Sequence, residues 1–268
     1  MSKAEGKIAF VDLRPLYSYY REMYFTTPEN LAKTRDLGPE PKKWPFAFEA
    51  EPLCKPHFIN TLDVPEPTAL RVTPFSHDNH PALAVVGCMD GRLFAYDLSS
   101  FTNPSPKGDA PEAKPYALGK VGRNPTCIAL PRYADPYRKS TQGSDVGGWF
   151  SMSFTVLVTC RGDREIDWVE ITPNKVDVYR RLRDSRMLDP VWCQQTRINS
   201  PDGAYLLTVT DFKGRKVLNY RIGDASIKGK KIPIPEPKDS KGEKGEVEFT
   251  GAMDFPGFPF RVNSDNVP

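Results

Sequence analysis

Four segments of the chain repeat one pattern: GKIAFVDL (6–13), GRLFAYDL (91–98), DREIDWVEI (163–171) and GRKVLNYRI (214–222). Each opens on a turn residue and a charged side chain, then runs to a closing aliphatic, Leu13, Leu98, Ile171 or Ile222. The residue two before that aliphatic is apolar each time (Val11, Tyr96, Val169, Tyr220), and the residue just before it is polar (Asp12, Asp97, Glu170, Arg221). This alternation describes a strand with one face packed and one wetted. Apolar β-rich runs precede three of the four: PALAVVGC (81–88), FTVLVTC (154–160) and AYLLTVTD (204–211). A hairpin recurring at long intervals predicts a radial or stacked repeat architecture.

Further strands fit around the hairpins. PTALRVTPF (67–75), PTCIALPRY (125–133), PVWCQQTRI (190–198) and VEFTGAMDF (247–255) read as first strands, and KPYALGKVG, VDVYRRLRD and IKGKKIPIP as outer ones. The expected fold class is all-β: a single β-propeller domain over 1–268, built of four-stranded antiparallel blades, with about four blades visible and a partly helical N-terminal insertion at 14–56. The blades fall at about 67–122, 125–184, 190–235, and 247–268 completed by 6–13 and 57–64. Strands from both termini would then close the ring edge to edge, which removes exposed edges. The other reading is a piece of a larger ring. In the insertion, the spacing of Tyr17, Tyr20, Met23 and Tyr24 predicts an amphipathic helix, and TPENLAKTR a second with Thr27 as N-cap.

Composition narrows the class. The 27 prolines against 19 glycines disfavour long helices and suit short strands joined by stiff loops. A net charge of +3 demands no basic face for nucleic acid. No stretch reaches the roughly 18 apolar residues of a membrane span. MSKAEGKIAF lacks the apolar core of a secretory leader, so a complete chain is expected in the cytoplasm and a processed chain or fragment in the periplasm or outside. The five cysteines are scattered singly and read as small buried residues.

The runs VGRNPTCIAL (121–130) with VLVTCRGDREIDWVEIT (156–172), and NSPDGAYLLTVTD (199–211) with GRKVLNYRI, resemble the YVTN-type, WD40-like β-propeller repeat: G-x-x-P, an apolar strand, a P-D-G turn, then two further strands. The P-D-G turn occurs only at 201–203, and the second unit carries an insertion in its place. The resemblance implies a propeller of the class that includes surface-layer proteins, lactonase-like enzymes and the large subunits of quinoprotein amine dehydrogenases. Fold does not choose among them.

Chemistry is sparse. His77 and His80 flank Asp78 in SHDNH and are weak metal candidates; the loop reading is the plainer one, and no metal or other cofactor is expected. RGD at 161–163 reads as a turn. Charged residues recur at the hairpin turns, Asp90, Arg92, Arg161, Asp163, Arg164, Asp211, Lys213 and Arg215, and could ring one rim of the propeller to bind an anion or a protein loop. The expected function is a non-catalytic binding or scaffolding module, with a protein partner reached through the aromatic insertion 14–56. The alternative is an enzyme or enzyme subunit of lactonase-like or quinoprotein-dehydrogenase-like type, with its site at the channel mouth.

Overall fold

A computed structural model describes residues 1–33, 55–72, 81–102, 110–130, 154–197, 205–222, 225–227, 230–232 and 247–262. Their contacts divide them into two compact units: Met1–Ser2 with Lys7–Asp63, and Lys3–Gly6 with the chain from Val64 onward.

In the first unit β1 (Lys7–Asp12) pairs antiparallel with β2 (His57–Asp63), from Lys7 opposite Asp63 to Asp12 opposite His57. Between them in sequence lie α1 (Arg14–Phe25) and α2 (Pro28–Ala32). Thr27 caps α2: its hydroxyl oxygen accepts the Asn30 N–H at 3.2 Å, and Pro28 takes the first helical position, where no N–H is needed.

The second unit holds three four-stranded antiparallel sheets, each a meander that follows chain order as a propeller blade does. The first consists of β3 (Pro67–Val72), β4 (Leu83–Cys88), β5 (Arg92–Asp97) and, after the short α3 (Ser99–Thr102), β6 (Lys114–Lys120). The second is β7 (Pro125–Ala129), β8 (Phe154–Cys160), β9 (Glu165–Thr172) and β10 (Lys175–Arg183). The third is β11 (Pro190–Arg197), β12 (Tyr205–Asp211), β13 (Lys216–Ile222) and, beyond a two-stranded sheet of β14 (Ala225–Ile227) and β15 (Lys230–Ile232), β16 (Val247–Asp254).

Neighbouring blades pack face to face. Leu83, Val85, Leu93 and Ala95 of the first meet Val156, Val158, Val169 and Ile171 of the second in one core. Leu157, Ile166 and Trp168 of the second meet Leu207, Val209, Leu218 and Tyr220 of the third in another. The second blade is thus covered on both faces, which is why FTVLVTC is nearly continuous in apolar residues rather than alternating. Close approach makes small residues obligatory at some crossings. A Cβ on Gly87 would lie 2.7 Å from the Cβ of Pro125, which opens the next blade.

Two expectations about the C-terminal part are corrected. The outer strand of the third blade was expected from IKGKKIPIP; instead β14 and β15 pair with each other, and β13 pairs with β16, from Lys216 opposite Asp254 to Ile222 opposite Val247. The reason is packing: Phe249 of β16 stands edge-on to Tyr220 at 5.7 Å and extends the second core, and IKGKKI has no aromatic to do so. The run 247–255 therefore does not open a fourth blade, and residues 255–262, after β16, form no strand. Among the described residues there are three four-stranded sheets rather than four. β1 pairs with β2, the two segments 6–13 and 57–64 expected to share a blade, and residues 263–268, expected to lead into β1, lie outside the described residues.

Candidate functional site

The turns between the second and third strands of each blade all lie at one end of their sheets. Each places one residue in left-handed conformation: Gly91 (φ 86°), Arg164 (φ 54°) and Arg215 (φ 54°). Each turn also donates a backbone N–H to the residue just ahead of, or opening, a first strand: Met89 to Glu66 O, Arg161 to Asn124 O and Phe212 to Asp189 O. The hairpins are thereby held beside the inter-blade connections, where Arg161, Asp163 and Asp211 find partners, while Asp90 and Arg92 pair with each other inside their turn.

Asp90 accepts from the Arg92 backbone N–H at 3.0 Å and pairs with its guanidinium at 2.6 Å. Asp163 accepts from the Arg123 backbone N–H at 2.7 Å and from its side chain at 2.8 Å. Arg161 makes a two-pronged pair with Asp189, at 2.5 and 2.8 Å. The R-G-D tripeptide is thus a turn whose two charged ends are already engaged. Partner bonds hold the Asp163 carboxyl below its ordinary range and raise the Arg161 and Arg123 guanidiniums.

Asp211 departs from its expected place on the rim. It is fully buried, and its carboxylate accepts three backbone N–H groups: Leu188 at 2.7 Å, Asp189 at 2.9 Å and Gly214 at 2.9 Å. It braces the turn and offers nothing to a ligand. Arg164, Lys213 and Arg215 remain as exposed cations for which no ion pair is present among the described residues. His77 and His80 lie outside the described residues.

Aromatic side chains join this cationic corner. Phe212 stacks on Phe258 with centroids 4.9 Å apart, the Arg161 guanidinium lies 5.9 Å from the Phe212 ring, and that of Arg215 lies 5.0 Å from Phe258. The segment after β16 is drawn there by a bond from the Phe255 N–H to Arg215 O at 2.8 Å. Phe258 and its neighbour Phe260 stay 57% and 68% exposed. Sequence reasoning missed this corner because Phe258 and Phe260 were assigned to the fourth blade expected over 247–268.

A second cluster is interior. Cys160 ends β8, Glu165 and Asp167 lie on β9, and their ligand-type atoms all come within 4.8 Å. Glu165 accepts from Arg183 Nε at 2.5 Å, Arg181 Nε lies 3.4 Å from Asp167, and the Gly122 N–H donates to Asp167 at 2.9 Å. Burial lifts the Cys160 thiol well above its ordinary range and pushes Asp167 up to about 6. Thiol and carboxylates are donors a cation accepts. Two guanidiniums already balance the two carboxylates, however, and an ion would have to displace Arg183. The cluster reads as a structural ion network. A signal was present in the sequence: Asp167 occupies the position where the other repeats carry Ala9, Phe94 and Leu218.

Two predictions arise here. A Cβ on Gly122 would sit 2.5 Å from Glu165 Oε1 and 2.6 Å from Cys160 Cβ. Gly122→Ala should therefore cost about 1–3 kcal/mol in urea unfolding. Asp167 holds its proton more tightly when folded, so its contribution to stability is complete below about pH 4 and is lost as pH rises through about 6. The stability difference between Asp167→Asn and the unsubstituted protein should shift in the variant's favour over that window, by on the order of 2 kcal/mol.

No protein-family model matches the chain, and no curated protein does. Among solved structures, the chain is similar to one from a crystal structure of BBS1N in complex with ARL6DN, soaked with lead. The TM-score is 0.37 at 12% identity, and the match covers 65% of this chain and 44% of that one. This chain thus spans under half the length of that neighbour, and a likeness at this level says nothing of what this chain binds. The fold rests on the blades themselves.

Proposed function

We propose that this protein is a binding or scaffolding module of the propeller type, docking a protein partner through its aromatic insertion. The observation that carries the reading is helix α1. Its sequence, RPLYSYYREMYF, is rich in aromatic residues, yet none of its residues is buried. Tyr17 is 63% and Phe25 81% exposed, and the rings of Tyr20 and Tyr24 stack on each other at 5.9 Å. On the adjoining strands Val11 and Phe58 are exposed as well. Exposed aromatic residues gathered on one small element mark a surface that another protein covers. Amphipathic helices are a common docking element of this kind. The repeats are read as YVTN-type, WD40-like units on the strength of the G-x-x-P and P-D-G elements at 122–125 and 201–203.

Photo-crosslinking tests the reading. A benzophenone side chain at Tyr17 or Phe25 should trap one and the same protein, and a probe at the exposed Lys175 of β10 should not. The partner should be lost in a Tyr17→Ser/Phe25→Ser variant. A native mass showing only the monomer, together with no product from either helix position, would end the proposal.

A further inference from the structure

We infer that the corner where the second and third blades present their turns is a docking surface for an acidic peptide segment carrying apolar anchors. This deepens the binding-module reading and rests on it, but it uses residues other than those of α1.

The argument is one of charge complementarity around a preformed apolar platform. At this corner every carboxylate with a described partner is already committed. Asp163 is held by Arg123, Asp189 by Arg161, and Asp254 lies 3.7 Å from Lys216. Asp211 is spent on three backbone N–H groups. Arg164, Lys213 and Arg215 are left as an excess of positive charge with no ion pair among the described residues. Paired charges attract a partner weakly, whereas an uncompensated cluster steers and orients an oppositely charged one.

Beside these cations lies the stack of Phe212 on Phe258, flanked by guanidiniums on both sides. The stack is fixed from both directions, since the Asp189 carboxylate positions Arg161 and the Phe255 N–H is bonded to Arg215 O. A rigid aromatic surface loses little entropy when a second apolar side chain is laid on it. Cations around an apolar centre call for the converse arrangement in the ligand: carboxylates interleaved with aromatic or aliphatic side chains.

Fluorescence polarisation tests this on the full chain. The probe is a labelled dodecapeptide in which Glu alternates with Phe and Leu; the controls are the same peptide with Lys in place of Glu, and a labelled single-stranded DNA. The acidic peptide should bind more tightly than the basic one and weaken as salt is raised. Lys213→Glu/Arg215→Glu should weaken it at least about tenfold, and Phe258→Ala several-fold. These positions are exposed turn or tail residues, and unchanged thermal melting confirms that each variant folds. Equal binding of the two peptides, indifference to the charge reversal, or DNA binding as tight as the acidic peptide's would each overturn the inference. The Tyr17→Ser/Phe25→Ser variant should bind the peptide normally while losing its crosslinked partner, which separates failure here from failure of the α1 reading.

Discussion

Asp211→Ala should lower the unfolding free energy by about 3 kcal/mol or more, read as a fall in the urea midpoint at constant slope. A buried carboxylate that accepts three backbone N–H bonds cannot be deleted without leaving those donors unpaired. Each orphan costs about 1–3 kcal/mol where water cannot reach it. The Leu188 and Gly214 groups are only part-buried, so water recovers some of the loss. Asp211→Asn keeps one acceptor oxygen in the same place and should cost markedly less. If the alanine variant came within about 1 kcal/mol of the parent, the brace assigned to Asp211 would be wrong.

Trp168→Ala should cost about 3–5 kcal/mol, the range for truncating a large core aromatic. Trp168 is 2% exposed and lies in the core between the second and third blades, with the Arg180 guanidinium 5.6 Å from its ring. Rigid sheets cannot collapse into the space it fills, because each is held by its own ladder. The near-UV circular dichroism of the folded protein should flatten as well. Trp168→Phe should restore most of the stability, and equal losses for the two variants would show that volume is not what matters at this position.

What could be read from residues alone follows from how local each feature is. The hairpins were legible because period-two alternation and a left-handed turn residue such as Gly91 are short-range signals. The burial of Asp211 was legible in principle. It aligns with Cys88 and Cys160, strand-end positions already read as buried, whereas Asp163 belongs to the turn proper. The ion pairs of the rim were not legible: Arg161 and Asp189 are 28 residues apart, and Arg123 and Asp163 are 40 apart. The packing of the third blade on the second brings the first pair together, and the ladder of β7 on β8 within the second blade brings the other. The outer strand of the third blade was misplaced for the same reason, since β13 selects its partner by what Phe249 can fill rather than by nearness in the chain.

That late-arriving strand has a consequence during synthesis. A nascent polypeptide that has reached only Ile232 carries β13 with its seven-residue edge still open, and an open edge recruits other chains. The remaining strand is self-contained: its ladder, the Phe249 contact and the Phe258 stack all come from the stretch Val247–Val262. A synthetic peptide of that stretch, added in trans to a chain truncated after Ile232, should slot into the gap and keep it from aggregating.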